Sequence, residues 1–251
     1  MIKFFNKIRK QMLIENKMGR YLKYAIGEII LVMIGILLAL QVNTWNTNRE
    51  LKKEEQKILK SLHGEFKENL EKFDLAYKFH ENRKKGITNS MLGDLEHLSA
   101  DTLIALLQKV NGNYTFDPFQ GIYNSVINSG KIELISNDTL KSKIARLQDL
   151  IRDYQEEEKG TQQHSIQNLY PYELSQPMGS FKYFTDGGGY DNEALEAKKN
   201  LIKFFKSQQY NNIMIHLNGW MRPIFEEGPI LREEMVSIIN LLESEIEKHE
   251  N

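Results

Sequence analysis

Six histidines are the first residues to weigh for chemistry: His63, His80, His97, His164, His216 and His249. None stands in a His-Glu-x-x-His arrangement, and no two share a helix face at a spacing of four, so no zinc-hydrolase helix is encoded. Asp94, Glu96 and His97 cluster locally, but their spacing suits a solvated turn better than one ligating face. The chain has no cysteine, which excludes disulfides, thiolate metal sites and a thiol nucleophile. Asp186-Gly187-Gly188-Gly189 lacks the Lys-Ser/Thr of a phosphate loop and reads as a turn. No Gly-x-Ser-x-Gly elbow is present, and Ser125 and Ser129 have no catalytic partner nearby in sequence. Glu156, Glu157 and Glu158 are consecutive; on a helix they point in different directions, cannot chelate one ion together, and read as a solvated face. The expectation is a protein that is not an enzyme and has no catalytic residue, metal site or cofactor.

Aromatic residues gather where the chain is irregular: Phe116, Phe119, Tyr123, Tyr170, Tyr172, Phe181, Tyr183, Phe184 and Tyr190. Packing of loops onto a core explains them first, and a groove for a partner or ligand second.

The element that organises the chain is an apolar run. Ile29 to Leu40 is without a polar side chain, and Tyr24–Val42 is broken only by Glu28 and Gln41. About 20 such residues cross a bilayer as a helix. Tyr21 and Tyr24 stand at one end and Trp45 at the other. Aromatic rings favour both interfaces, and the distance from Tyr21 to Trp45 is roughly 36 Å as helix. A buried core helix would explain the run but not its basic flank and aromatic ends. A cleaved signal peptide would need a small–x–small site, which Leu38-Ala39-Leu40-Gln41-Val42-Asn43 does not offer. A retained, single-pass transmembrane helix over 21–43 is the expectation. Lys3, Lys7, Arg9, Lys10, Lys17, Arg20 and Lys23 precede it against Glu15 alone, while Arg49, Lys52, Lys53 and Lys57 follow. That bias places the N-terminus in the cytoplasm and the body outside. With a whole-chain charge of −1, a general nucleic-acid binder is not expected.

Within the run, Glu28, Leu31, Gly35, Ala39 and Val42 fall close to one helix face. Gly35-x-x-x-Ala39 lets a second helix approach, and an acid inside a span is a functional candidate by default. The competing account is that Glu28 lies one turn from the interface and reaches headgroups or Lys23. The expected partners are membrane lipid and a second copy or a partner membrane protein.

Two stretches carry a resemblance. Met1-Ile-Lys-Phe-Phe5, Lys7-Ile-Arg9, Tyr21–Val32, Ile34–Gln41 and Asn43-Thr-Trp-Asn46, then Asn128–Leu140, resemble a family of single-pass membrane proteins common in Bacteroidota and known as a domain of unknown function. The resemblance implies a bacterial inner-membrane protein with a periplasmic C-terminal domain; it implies no activity and no catalytic residues.

The rest reads as all-α. Residues 1–20 form a basic amphipathic segment, with Phe4, Ile8 and Met12 on one face, suited to the anionic cytoplasmic leaflet. Leu51, Ile58, Leu62, Phe66, Leu70, Phe73 and Tyr77 make a helical stripe, so the membrane helix can continue to about residue 85, with a break at Gly86 or Thr88–Gly93. A helix fits Asp101–Val110, a loop Asn111–Pro118, and a helix Phe119–Ile127 closed by Asn128-Ser-Gly130. Ser136 or Asn137 caps a helix bearing Leu140, Ile144, Leu147, Ile151 and Tyr154. Residues 171–190 read as the longest irregular stretch. Pro229 reads as the first turn of a last helix bearing Leu231, Met235, Ile238, Leu242 and Ile246. Residues 44–251 therefore form an extracytoplasmic helical bundle with a long first helix, whose stripe packs on 137–158 and the C-terminal helix.

Two functions suit this layout. One is a membrane-anchored interaction or scaffold protein. The other is a ligand-sensing extracytoplasmic domain that acts through a membrane partner, since about 20 cytoplasmic residues are too few for an output domain. A small-molecule pocket between helices would favour the second, and a broad apolar patch the first.

Overall fold

A computed structural model describes residues 18–177 and 191–250. The amphipathic segment, the triple glycine and the aromatics Phe181, Tyr183, Phe184 and Tyr190 lie outside the described residues. Among the described residues every regular element is helical. The chain divides into two units, Met1–Gln56 and Lys57–Asn251.

The helix α1 (Met18–Leu92) begins in the first unit and continues into the second. Its most apolar 18-residue window has a mean hydropathy of 2.4, and none of that window is buried. By length and composition it suffices to cross a membrane.

In the second unit, α1 supplies a buried stripe. Ile58, Leu62, Phe66 and Phe73 are in the core and Leu70 and Tyr77 pack against it. Leu51, expected on the same stripe, lies outside this unit and is exposed. Gly86 does not break the helix: a Cβ there would stand 3.0 Å from the Lys109 Cβ, so the glycine marks a close approach instead. The helix ends at Leu92, where the Gly93 amide still bonds to the Asn89 carbonyl at 3.0 Å before the chain turns. A 3₁₀ turn at Leu95–His97 leads to α2 (Ala100–Val110), N-capped by Ser99.

Residues 111–120 then cross the unit as a loop to α3 (Gly121–Asn128). Gly130 closes that helix at φ +71°, a left-handed position that glycine occupies without cost. After a 3₁₀ turn, the Asn137 side chain caps α4 (Asp138–His164) by accepting the Leu140 amide. Leu140, Ile144, Leu147, Ile151 and Tyr154 are all buried, as their spacing predicts.

Helical structure continues beyond α4 through a π segment, Ser165–Leu169, into α5 (Tyr170–Leu174). The expected irregular stretch therefore starts later than residue 171. Pro171 has no N–H for the ladder, and the helix widens just before it. α6 (Asp191–Phe205), α7 (Gln208–Trp220) and α8 (Arg222–Glu250) follow.

Pro229 lies inside α8, not in its first turn; Pro223 occupies that early place. The ring of Pro229 is exposed, so the lost hydrogen bond faces solvent while Ile224 and Leu231 stay buried on either side. Gly228 before it is buried, and a Cβ there would come within 2.5 Å of the Tyr77 ring. The Gly-Pro pair is thus a contact device between helices.

The apolar interior of this unit forms two main clusters. One joins α1, α4 and α8 through Leu59, Phe66, Phe73, Ile144, Ile151, Ile238 and Leu242. The other joins α2, α6 and α7 to the far end of α1 through Ile87, Leu103, Leu107, Phe204, Tyr210 and Leu217.

Candidate functional site

The expected contact face lies on the first-unit part of α1. Leu31, Gly35 and Ala39 are exposed and Glu28 is partly so. A Cβ placed on Gly35 would meet nothing within 4 Å, so the notch stands open for a second helix. Tyr24 and Trp45 are exposed at the two ends of the run; the Tyr21 side chain lies outside the described residues. Lys23, Tyr24, Gly27, Glu28 and Leu31 surround a shallow hollow of about 270 Å³. This face brings one acid, one base and an open apolar surface together on a single helix.

A second constellation, missed by the sequence reading, lies inside the helical domain. Glu158, expected on a solvated face, is 2% exposed. Its Oε1 lies 2.8 Å from His80 Nε2, and its Oε2 accepts the Phe116 amide at 2.8 Å. One turn further along α1, the buried Arg83 donates from Nε to the Val110 carbonyl and from Nη2 to Ser165 Oγ. Burial pulls the Arg83 guanidinium below its ordinary value, partly offset by the Tyr170 and Tyr210 phenols. Along α1, His80 and Arg83 fall between Phe73 of one apolar cluster and Ile87 of the other. Along α4 and the π segment, Glu158, Thr161 and Ser165 fall likewise between Tyr154 and Leu169. A polar layer therefore separates the two apolar clusters along both helices.

This layer fastens the loop 111–120. Besides the Glu158–Phe116 bond, Gln155 donates to the Phe116 carbonyl at 2.8 Å. Asn69 pairs with Phe119 like a second strand, accepting its amide at 2.7 Å and donating to its carbonyl at 2.8 Å. Lys72 donates to the Asp117 carbonyl and lies 3.7 Å over the Phe119 ring. Glu65 accepts the Ile122 and Tyr123 amides, capping α3 from another helix, where its own N-cap residue Gln120 does not. Such satisfaction of loop backbone is what burial of a loop requires. His80 and Glu158 are sealed from solvent, and through Glu158 the pair holds the Phe116 backbone. Of the listed aromatics, Phe116 and Tyr172 are core, as packing predicts, while Phe119 remains exposed.

Asp94 and His97 pair at 2.6 Å on the surface, while Glu96 turns away to Lys206. That is the solvated turn their spacing suggests. Among the described residues no group of three or more His, Cys, Asp or Glu is placed to hold a metal ion.

A search of curated proteins and one of solved structures each return no match. One family does match. Its sequence model takes in residues 28–157: it opens at Glu28 in the apolar run, includes the stripe of α1 and the fastened loop, and ends within α4 beside Glu158. The chain belongs to this family, DUF6090, a family of unknown function.

Proposed function

We propose that this chain is a membrane-anchored interaction protein: residues 21–43 of α1 hold it in a bacterial inner membrane, and the helical body engages a partner outside the cytoplasm. The observation that carries the reading is the fully unburied apolar window, whose surface none of the described residues covers. In water that surface would cost about 25 cal/mol per Å², far more than the stability of a small domain, so it needs lipid or protein around it. The Lys/Arg excess before the run sets the N-terminus in the cytoplasm. Tyr21, Tyr24 and Trp45 anchor the two interfaces. Glu28, Leu31, Gly35 and Ala39 form the face that meets a second copy or a partner's membrane helix, with lipid on the other faces.

Two measurements test this. A C-terminal alkaline phosphatase fusion should be active and a C-terminal cytoplasmic-type fluorescent reporter dark; the reverse overturns the topology. In native membranes, single cysteines at positions 28, 31, 35 and 39 should cross-link, and those at 30, 33 and 37 should not. Equal cross-linking from both sets, or none from either, removes the contact face and leaves Glu28 as a boundary residue.

A further inference from the structure

His164 ends α4 and His216 lies on α7, 52 positions later, yet their ring centroids stand 6.3 Å apart with the planes at 39°. Two imidazoles on one divalent ion, each nitrogen about 2.1 Å from the metal, place their centroids about 5 to 6.5 Å apart. The observed spacing lies at the open end of that range. His216 is exposed and has room to turn inward.

The surroundings of His164 are those of a ligand. Its Nε2 lies 3.2 Å from the Ile213 carbonyl, which can only accept, so Nε2 carries the proton. Nδ1 then keeps its lone pair, with the Asn168 amide 3.3 Å away. A backbone carbonyl holding the far nitrogen is the usual outer support of a metal-bound imidazole: it fixes the tautomer and the ring. The π segment that starts directly after His164 brings Asn168 back against the His164 carbonyl at 3.0 Å. Such segments recur at functional sites.

We propose that His164 Nδ1 and His216, with water completing the shell, bind one divalent transition ion of the imidazole-preferring class: zinc, copper(II) or nickel. Hard cations are excluded by the nitrogen donors. Arg83 adds a positive charge nearby and no carboxylate joins the set, both of which weaken the hold on a cation. Because the two ligands come from different helices, the ion fastens α7 to the end of α4.

The test uses the full chain in detergent micelles, without a histidine tag. Titration with zinc should show one ion per chain. Binding should weaken at least ~10-fold in His216→Ala and in His164→Ala, because each variant removes one of two strong donors. It should be unchanged in His97→Ala, which removes the exposed histidine paired with Asp94. Copper(II) bound to the wild type should show hyperfine coupling to two imidazole nitrogens, and zinc should raise the melting temperature of the wild type and of His97→Ala but not of the two site variants. His216 is on the surface, so its alanine variant folds, and circular dichroism confirms this. Undiminished binding in His216→Ala, coupling to a single nitrogen, or no saturable binding at submillimolar metal overturns the proposal.

Discussion

Two parts of one helix both carry apolar side chains and end in opposite states. Between residues 22 and 45, α1 shows Leu31, Ile34, Leu37 and Leu38 to the outside, uncovered by the described residues. Between residues 57 and 92, the same helix buries Ile58, Leu62, Phe66 and Phe73 beneath α4 and α8. What separates them is the rest of the circumference. The second part carries Lys60, Lys67, Glu68 and Glu71 on its other faces, so it presents one apolar stripe that neighbouring helices suffice to cover. The first is apolar all round, so no single neighbouring face suffices to cover it, which is the pattern the proposed membrane anchor requires. The difference teaches that an apolar count alone does not identify a core; the polarity of the opposite face decides between a protein partner and a bilayer.

The comparison is broken most severely by one charge in the covered part. Phe66→Asp should cost about 3–5 kcal/mol, because it opens a cavity and leaves an unpaired carboxylate in the core. The thermal melt of the full chain in detergent, followed by circular dichroism, should drop sharply. Leu37→Asp, at a position 57% exposed, should leave that melt in place and lower membrane retention after carbonate extraction instead. If both changes moved the same readout, the two parts of α1 would not differ as described.

Next comes the polar layer. Glu158→Ala strips the partner from His80 and from the Phe116 amide and should cost about 2–4 kcal/mol. Glu158→Gln, which keeps an acceptor oxygen, should lose clearly less. Amide exchange at Phe116 should accelerate in both, and more in the alanine variant; an unchanged rate would show that the loop is held by other bonds.

Gly228→Ala should cost about 1–3 kcal/mol, because the new methyl would stand 2.5 Å from the Tyr77 ring. Adding Tyr77→Leu should recover part of that loss, as expected of two groups in direct contact.

The smallest effect is in pH. Burial raises the Glu227 carboxyl above its ordinary value, and Glu157, Asp153 and Glu226 add to this. The folded state therefore holds this proton more tightly than the unfolded chain does. The stabilisation is fully present below the ordinary glutamate value and is lost as pH rises through the folded value. Glu227→Gln should flatten the fall in melting temperature above about pH 4.5 and melt slightly higher than the parent at neutral pH. A parallel pH profile in the two proteins would remove Glu227 from the acidic seam between α4 and α8.

Much of the fold is legible from single elements. The stripe Ile58–Tyr77, the cap at Asn137, the stop at Gly130 and the face Leu140–Tyr154 all follow from periodicity and capping, which act over three or four residues. The apolar run is legible for the same reason, since it depends only on local composition and helical geometry. Proline and glycine were harder to read, because their local preference is overridden when flanking residues are buried. Pro229 stays inside α8 since Ile224 and Leu231 hold the helix on both sides. Gly86 and Gly228 serve approach between helices, not breaks.

Local rules end where partners come from distant positions. Nothing in Glu156-Glu157-Glu158 distinguishes the third acid from the first two until α1 brings His80 to it across 78 positions. The same holds for Glu65 capping a helix it does not belong to, and for His164 meeting His216. Helical periodicity assigns each side chain to a face of its own element. Which faces meet, and so which polar groups are buried together, is decided only when the helices pack.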